Sequence, residues 1–315
     1  MSAGAAYGAM FQKLLVPLDG TPQAAVALPL AGALARATGA ELLLVRVVAR
    51  GSHTDRETAA AVEYLDRVAA ELRGDHLTVH VHATVAQDGV EASLVREVGV
   101  YGADVVVMAT HGRAGIARGV LGSIAEHVLT HTAVPIVLLR PGKRRVTQLR
   151  KLLVPVDGTP GSAAALSTAW ALASATGSRV VLVEVVTPVV PFLSSAELLP
   201  VWEEETQARA TSYVLGLASA LARAGVEAEG QTAIGLAGPT IVSTAERVDA
   251  DLIVMSTRAL TGAARALLGS TADEVVRTAA LPVLLVHQAA PGAKEPPASQ
   301  WAVQPPSITS AWPLT

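Results

Sequence analysis

Apolar residues along this chain gather in short runs, separated by stretches in which they recur every three or four positions. Between residues 13 and 140 the runs KLLVPL, ELLLVRVV, LTVHVHATV, ADVVVMA and VPIVLL are each strand-sized. Four of them are apolar at nearly every position, as expected of strands covered on both faces of a parallel sheet, while LTVHVHATV alternates. The intervening stretches predict helices. TPQAAVALPLAGALARAT reads as one helix with Thr21 as N-cap and Pro22 at its first position. DRETAAAVEYLDRVAAEL places Val62, Leu65, Val68 and Ala69 on one helical face. VEASLVREVGVYG and SIAEHVLTHT complete the order βαβαβαβαβ.

The whole pattern is written twice. KLLVPLDGTP at 13–22 returns as KLLVPVDGTP at 151–160, an offset of 138. ADVVVMATHG at 103–112 returns as ADLIVMSTRA at 250–259, and LGSIAEHVLTHTAVPIVLL at 121–139 as LGSTADEVVRTAALPVLLV at 268–286, both at an offset of 147. The second copy is thus nine residues longer, and TPVVPFLSSAELLPVW at 187–202 is where the extra residues are expected. Parallel strands with right-handed crossovers leave the doubly wound five-stranded sheet, order 3-2-1-4-5, as the simplest topology. The expected fold class is α/β, with two such domains in tandem over 13–140 and 151–287. An N-terminal extension (1–12), a basic linker (141–150) and a Pro-rich, disordered tail (288–315) are expected around them.

Composition narrows the partners. The 315 residues suit two domains, and 51% are hydrophobic with only 3% aromatic, so the cores must be built from Ala, Val and Leu. Lys and Arg total 24 against 27 Asp and Glu, a net charge of -3 that carries no electrostatic footprint for nucleic acid. The absence of cysteine excludes disulfides, thiolate zinc sites, iron–sulfur clusters and Cys nucleophiles. Mean hydropathy is +0.43, yet no uncharged apolar run reaches the roughly 18 residues of a membrane span. MSAGAAYGAMFQ lacks the layout of a secretory signal. The expectation is a cytoplasmic protein without a membrane partner.

In a doubly wound sheet the ligand crevice lies beyond the carboxyl ends of strands 1 and 4, where the strand order reverses. Strand 1 of the first copy ends in Asp19-Gly20, and strand 4 ends in Ala109-Thr110-His111-Gly112. The loop after it leads to Gly122-Ser123, whose helix-opening amides suit a phosphate. Asp19 has two readings, an Asx-type turn closing the strand and an acceptor for a base amino group or ribose hydroxyl. The loop likewise reads either as a Gly-rich connector or as a phosphate cradle. Neither GxxxxGK[ST] nor GxGxxG is present. His127 and His131, four apart on one helix, lack a third ligand and read as a solvated face, and His80 and His82 read as exposed strand positions. No metal site is expected.

VPLDGTP, MATHGRAGIARGVLGSIAEHVL and VPIVLL, each found twice in this order, resemble the universal stress protein family over about 13–140 and 151–287. The resemblance implies an adenine nucleotide alpha-hydrolase-like, Rossmann-like fold and a nucleotide signature G-x2-G-x9-G-[ST]. In the first copy Ala109 stands at the first Gly of that signature, followed by Gly112 and Gly122-Ser123. Carried over by position, the family's contacts fall on Pro17, Asp19 and Val47 around base and ribose. Met108, Ala109, His111, Gly112, Gly122, Ser123 and Ile124 fall around ribose and phosphates. A weaker second site is implied at Asp157, Val185, Ser256, Gly269, Ser270 and Thr271, with Ala259 replacing the second Gly. If that position needs φ above zero, Ala259 costs roughly 1 kcal/mol.

The implied function is a stress-response protein that senses or buffers an adenine nucleotide, ATP first and otherwise AMP or ADP, with Mg2+, mainly through the first copy and toward an unknown protein client. The alternative is an interaction module that binds no nucleotide. A pyrophosphatase or nucleotidylyltransferase would need SGGxDS-like or HIGH-like sequences, which are absent. With no nucleophile–base pair in view, no dedicated enzyme is expected beyond slow ATP hydrolysis. The last strand of each copy would expose an apolar edge, so the two edges are expected to pair within the chain as a pseudo-dimer, with a homodimer as a further option.

Overall fold

The computed structural model describes residues 11–110, 121–188, 199–257 and 268–287. Much of the N-terminal extension and the tail from 288 onward lie outside these residues. In the first half the elements are β1 (Lys13–Pro17), α1 (Pro22–Ala25), α2 (Leu28–Thr38), β2 (Glu41–Val48), α3 (Thr54–Arg73), β3 (Val79–Val85), α4 (Val90–Tyr101), β4 (Val105–Ala109), α5 (Ser123–His131) and β5 (Ile136–Leu139). The second half repeats them as β6 (Lys151–Pro155), α6 (Pro160–Thr176), β7 (Arg179–Val186), α7 (Leu199–Arg223), β8 (Ala228–Ile234), α8 (Ala237–Arg247), β9 (Leu252–Thr257), α9 (Ser270–Thr278) and β10 (Val283–His287).

The strands form one ten-stranded sheet in the order β3-β2-β1-β4-β5-β10-β9-β6-β7-β8. Each half is parallel and has the expected 3-2-1-4-5 order. The halves meet where β5 and β10 pair antiparallel, with Val137 opposite Leu284. The two apolar edges thus cover each other inside the chain, which removes both as free templates for pairing. Along β1 and β2 alternate residues face opposite sides. Leu14, Val16, Leu42 and Leu44 join a core under α1, α2 and α3 that continues under α6 and α7. Leu15, Leu43 and Val45 join a second core under α4, α5, α8 and α9. Both cores run through the two halves, and α2 packs against α6 across the junction.

Two local expectations are corrected. The first predicted helix is two helices, because Pro29 has no N–H and its ring conflicts with the carbonyl four residues back. The corresponding stretch of the second half has no interior proline and is one helix of 17 residues. On α3 the buried stripe is Ala61, Leu65 and Ala69, while Val62 is 41% exposed, one helical step off that face. The basic segment after β5 packs against the fold. Val146 and Leu149 are buried, and Arg144 donates to Asp249 at 2.6 Å and Asp251 at 2.8 Å.

Register also refines the repeat. Leu42 pairs with Val79 and Val180 with Ala228, so the offset grows from 138 at β2/β7 to 149 at β3/β8. It falls to 147 at β4/β9, where Leu14 pairs with Val105 and Leu152 with Leu252. The second half is therefore eleven residues longer before β8 and two shorter after it. Part of the gain is in α7, with 25 residues against 20 in α3.

Candidate functional site

At the carboxyl ends of the strands each half holds a cleft. The first has a volume of about 520 Å3, and its walls include Pro17, Asp19, Val47, Met108, Ala109, Gly122, Ser123 and Ile124. Eight positions implied by the family signature thus surround one cavity, while His111 and Gly112 lie outside the described residues. The cavity spans from the turn after β1 to the start of α5. Its size falls within the range of sites that enclose small molecules.

The turn is built by Asp19 and Gly20. Asp19 Oδ1 accepts from the Thr21 backbone N–H at 2.9 Å and from its hydroxyl at 2.6 Å, which is the Asx-type turn. The same Thr21 Oγ1 accepts from the Ala24 N–H at 3.2 Å and caps α1. Asp19 and Thr21 therefore act in series, so the turn role of Asp19 is real alongside any ligand role. Gly20 follows at φ +86°, a conformation that side-chain-bearing residues rarely adopt. The Leu18 N–H donates to Val45 O at 2.8 Å and extends the β1–β2 ladder to the edge of the cleft.

On the opposite wall Gly122 has extended backbone (φ -64°, ψ 147°), and among the described residues no side chain caps the nine-residue α5. Its own N–H donates to Thr110 O at 2.9 Å, which ties the helix start to the end of β4. Ser123, Ile124 and Ala125 line the cavity, so the dipole-positive start of α5 borders it, as suits an anion. Ser123 Oγ lies 3.5 Å from a Glu91 carboxylate oxygen. Ala109 is absent from the positive-φ positions, so its methyl group fits where the family signature has glycine.

The second cleft has a volume of about 220 Å3 and is walled by Asp157, Val185, Ser256, Gly269, Ser270 and Thr271, with Ser162 where the first has Ala24. Asp157 builds the same turn, accepting from the Thr159 N–H at 3.0 Å and its hydroxyl at 2.6 Å. Gly269 opens α9 without a side-chain cap, as Gly122 opens α5. Ala259 lies outside the described residues.

A ten-stranded sheet in two identical windings, each with its strand-end cleft, fits one origin for both halves. The model of the universal stress protein family matches residues 10–140 and 148–287. The chain belongs to the universal stress protein family. A universal stress protein of Methanocaldococcus jannaschii is 34% identical over 144 residues, 44% of this chain and 82% of that relative. One of Mycolicibacterium smegmatis is 24% identical over 231 residues, covering 72% of this chain and 76% of the relative, so the likeness reaches across both halves. Among solved structures, a functionally unknown protein of Pseudomonas aeruginosa superposes with a TM-score of 0.67 at 20% identity, covering 90% of this chain and 94% of its own. Membership in the universal stress protein family carries a stress-response role at that level of description.

On the edge strand β3, His80 lies 3.4 Å from Glu41 and His82 3.5 Å from Glu97 of α4. The rings of His127 and His131 stack at 3.8 Å, and His131 Nδ1 lies 2.9 Å from the His127 carbonyl. Among the described residues no helix is long and apolar enough to cross a membrane. Several wall residues of the first cleft, Leu18, Arg46 and Glu57 among them, were not singled out from the sequence. Arg46 had a signal there, a lone charge inside the apolar run ELLLVRVV.

Proposed function

We propose that the first half binds an adenine nucleotide, with ATP the leading ligand, and that this binding carries the protein's part in the stress response. The observation that supports the reading is one cavity of about 520 Å3 with a hydrogen-bonding carboxylate, Asp19, at one end and the uncapped start of α5 at the other. Apolar side chains between them, Val47, Met108 and Ile124, suit a purine and ribose. The amides after Gly122 suit the phosphates. Mg2+ accompanying ATP would meet oxygen donors there in Ser123 and Glu91, and it would offset the acid next to the phosphates. The second cleft, less than half the volume, is the weaker site. Release of nucleotide, or a slow hydrolysis without a dedicated base, would serve sensing rather than turnover.

Calorimetric titration with ATP and Mg2+ tests this directly. Asp19→Ala removes the carboxylate from the cleft together with its two bonds to Thr21, and affinity is expected to fall by about ten-fold or more. Asp157→Ala is expected to leave that affinity within about two-fold, since distant sites act independently. Equal effects of the two substitutions would count against a site in the first half.

A further inference from the structure

The two strands that flank the clefts each carry one charge inside an apolar run, at the same place and with opposite sign. Pro17 pairs with Val45 and Pro155 with Val183, so Arg46 and Glu184 each follow one residue later in register. Arg46 lines the first cleft and is partly buried. Among the described residues it has no hydrogen bond and no ion pair. Its guanidinium lies 5.6 Å from the centre of the Tyr64 ring and packs against Gly20, where an added Cβ would stand 2.9 Å from Nη1. An aromatic face therefore holds the cation next to the Asp19 turn, and no acceptor among the described residues takes up its planar donors.

Glu184 is the reverse. Its Oε2 is buried and has no hydrogen-bond partner among the described residues, and burial with the neighbouring Asp157 carboxylate pushes its pKa above the ordinary range. Tyr213, on α7, is also raised by burial and by these two carboxylates, and it interacts with the Ser162 hydroxyl of the second cleft. The first half thus sets a cation beside its turn carboxylate, and the second sets another carboxylate there. Glu57 also lines the first cleft, but it is exposed, where water and salt screen it.

We propose that Arg46 selects an anionic ligand for the first cleft, and that the charge at this sheet position decides which ligands each half accepts. The proposal rests on the nucleotide reading of the first cleft and names the residue that would favour a nucleotide over an uncharged nucleoside. A partly desolvated cation acts on the whole charge of the ligand, so its effect grows with the number of phosphates. A residue that merely fills space would act on ATP and adenosine alike.

The full-length chain is titrated with ATP and, separately, with adenosine, for the wild type and for Arg46→Gln, Arg46→Lys and Arg46→Glu. ATP affinity is expected to fall about ten-fold in Arg46→Gln, further in Arg46→Glu, and to return to within about three-fold in Arg46→Lys, because the charge is what acts. Adenosine affinity is expected to stay within about three-fold throughout. Arg46→Glu installs the second half's charge sign and should be the most selective against ATP. Equal weakening of ATP and adenosine, unchanged ATP binding, or no recovery with lysine would each overturn the assignment. A wild-type chain that binds ATP but whose variants show any of those results leaves the nucleotide reading standing. Binding of neither ligand by the wild type overturns both.

Discussion

Leu284→Asp is expected to abolish the native fold. Leu284 is fully buried at the centre of the ten-stranded sheet, where β10 pairs with Val137 of β5 on one side and with Val254 of β9 on the other. Its side chain lies in the core that runs beneath helices of both halves. Removing the isobutyl group alone costs about 3 kcal/mol, and an unpaired buried carboxylate adds several more, against a typical total stability of roughly 5–15 kcal/mol. Leu284→Ala keeps the prediction quantitative if the aspartate variant does not accumulate. It should lower the unfolding free energy by about 2–5 kcal/mol in denaturant titration. Loss of a single transition common to both halves would accompany it. A change below about 1 kcal/mol would mean that the β5–β10 junction is not part of the stable core.

Asp251→Ala has the next largest expected effect on stability. Asp251 stands just before β9, nearly buried, and its Oδ2 accepts from the Arg150 and Lys151 backbone N–H groups at 2.8 and 3.1 Å. Oδ1 accepts from Arg144 Nη2 at 2.8 Å. One carboxylate thus fixes the start of β6 against β9 and docks the segment that joins the halves. Its equivalent Asp104 holds the start of β1 through the Gln12 and Lys13 N–H groups at 2.7 and 3.1 Å. Truncation leaves part-buried N–H donors without their acceptor, a loss of about 2–4 kcal/mol in unfolding free energy. Asp104→Ala should cost less, because no arginine of a joining segment depends on it. The reverse ranking would contradict the docking role assigned to Arg144.

Much of this architecture can be read from the chain. The repeated KLLVP[LV]DGTP and the apolar runs dictate two parallel windings, since a strand apolar on both faces has to be covered twice. The pairing of the final strands also follows from their exposed apolar edges. What failed was local. Pro29 sits inside a good helical pattern, and its missing N–H outweighed the periodicity. Val62 matched a spacing of three and four, but Ala61 occupies the buried stripe, because small residues let α3 lie close to the sheet. Asp19 was weighed as either a turn former or a ligand group. In the fold its Oδ1 makes the turn by acting through Thr21, a link between neighbouring residues that composition cannot reveal. Arg144 found its acidic partners more than 100 residues away, which only the folded register brings together.

The clefts divide in the same way. Motif order placed eight named residues on one wall system, because strand ends converge wherever the winding reverses. The opposite charges of Arg46 and Glu184 were visible as interruptions of two apolar strands. Only pairing in register shows that they occupy one position, and only the fold shows that, among the described residues, Arg46 has no hydrogen bond or ion pair and Glu184 Oε2 no hydrogen-bond partner.

The central claim is that the first half holds an adenine nucleotide, and the most direct measurement is the amount of nucleotide the protein carries. Freshly purified full-length protein is denatured, and the released adenine nucleotide is quantified per chain, before and after incubation with ATP and Mg2+. The account predicts about one nucleotide per chain after incubation, lost in Asp19→Ala and retained in Asp157→Ala. No nucleotide under either condition would contradict it, and the protein would then act in the stress response through its surfaces rather than through its clefts.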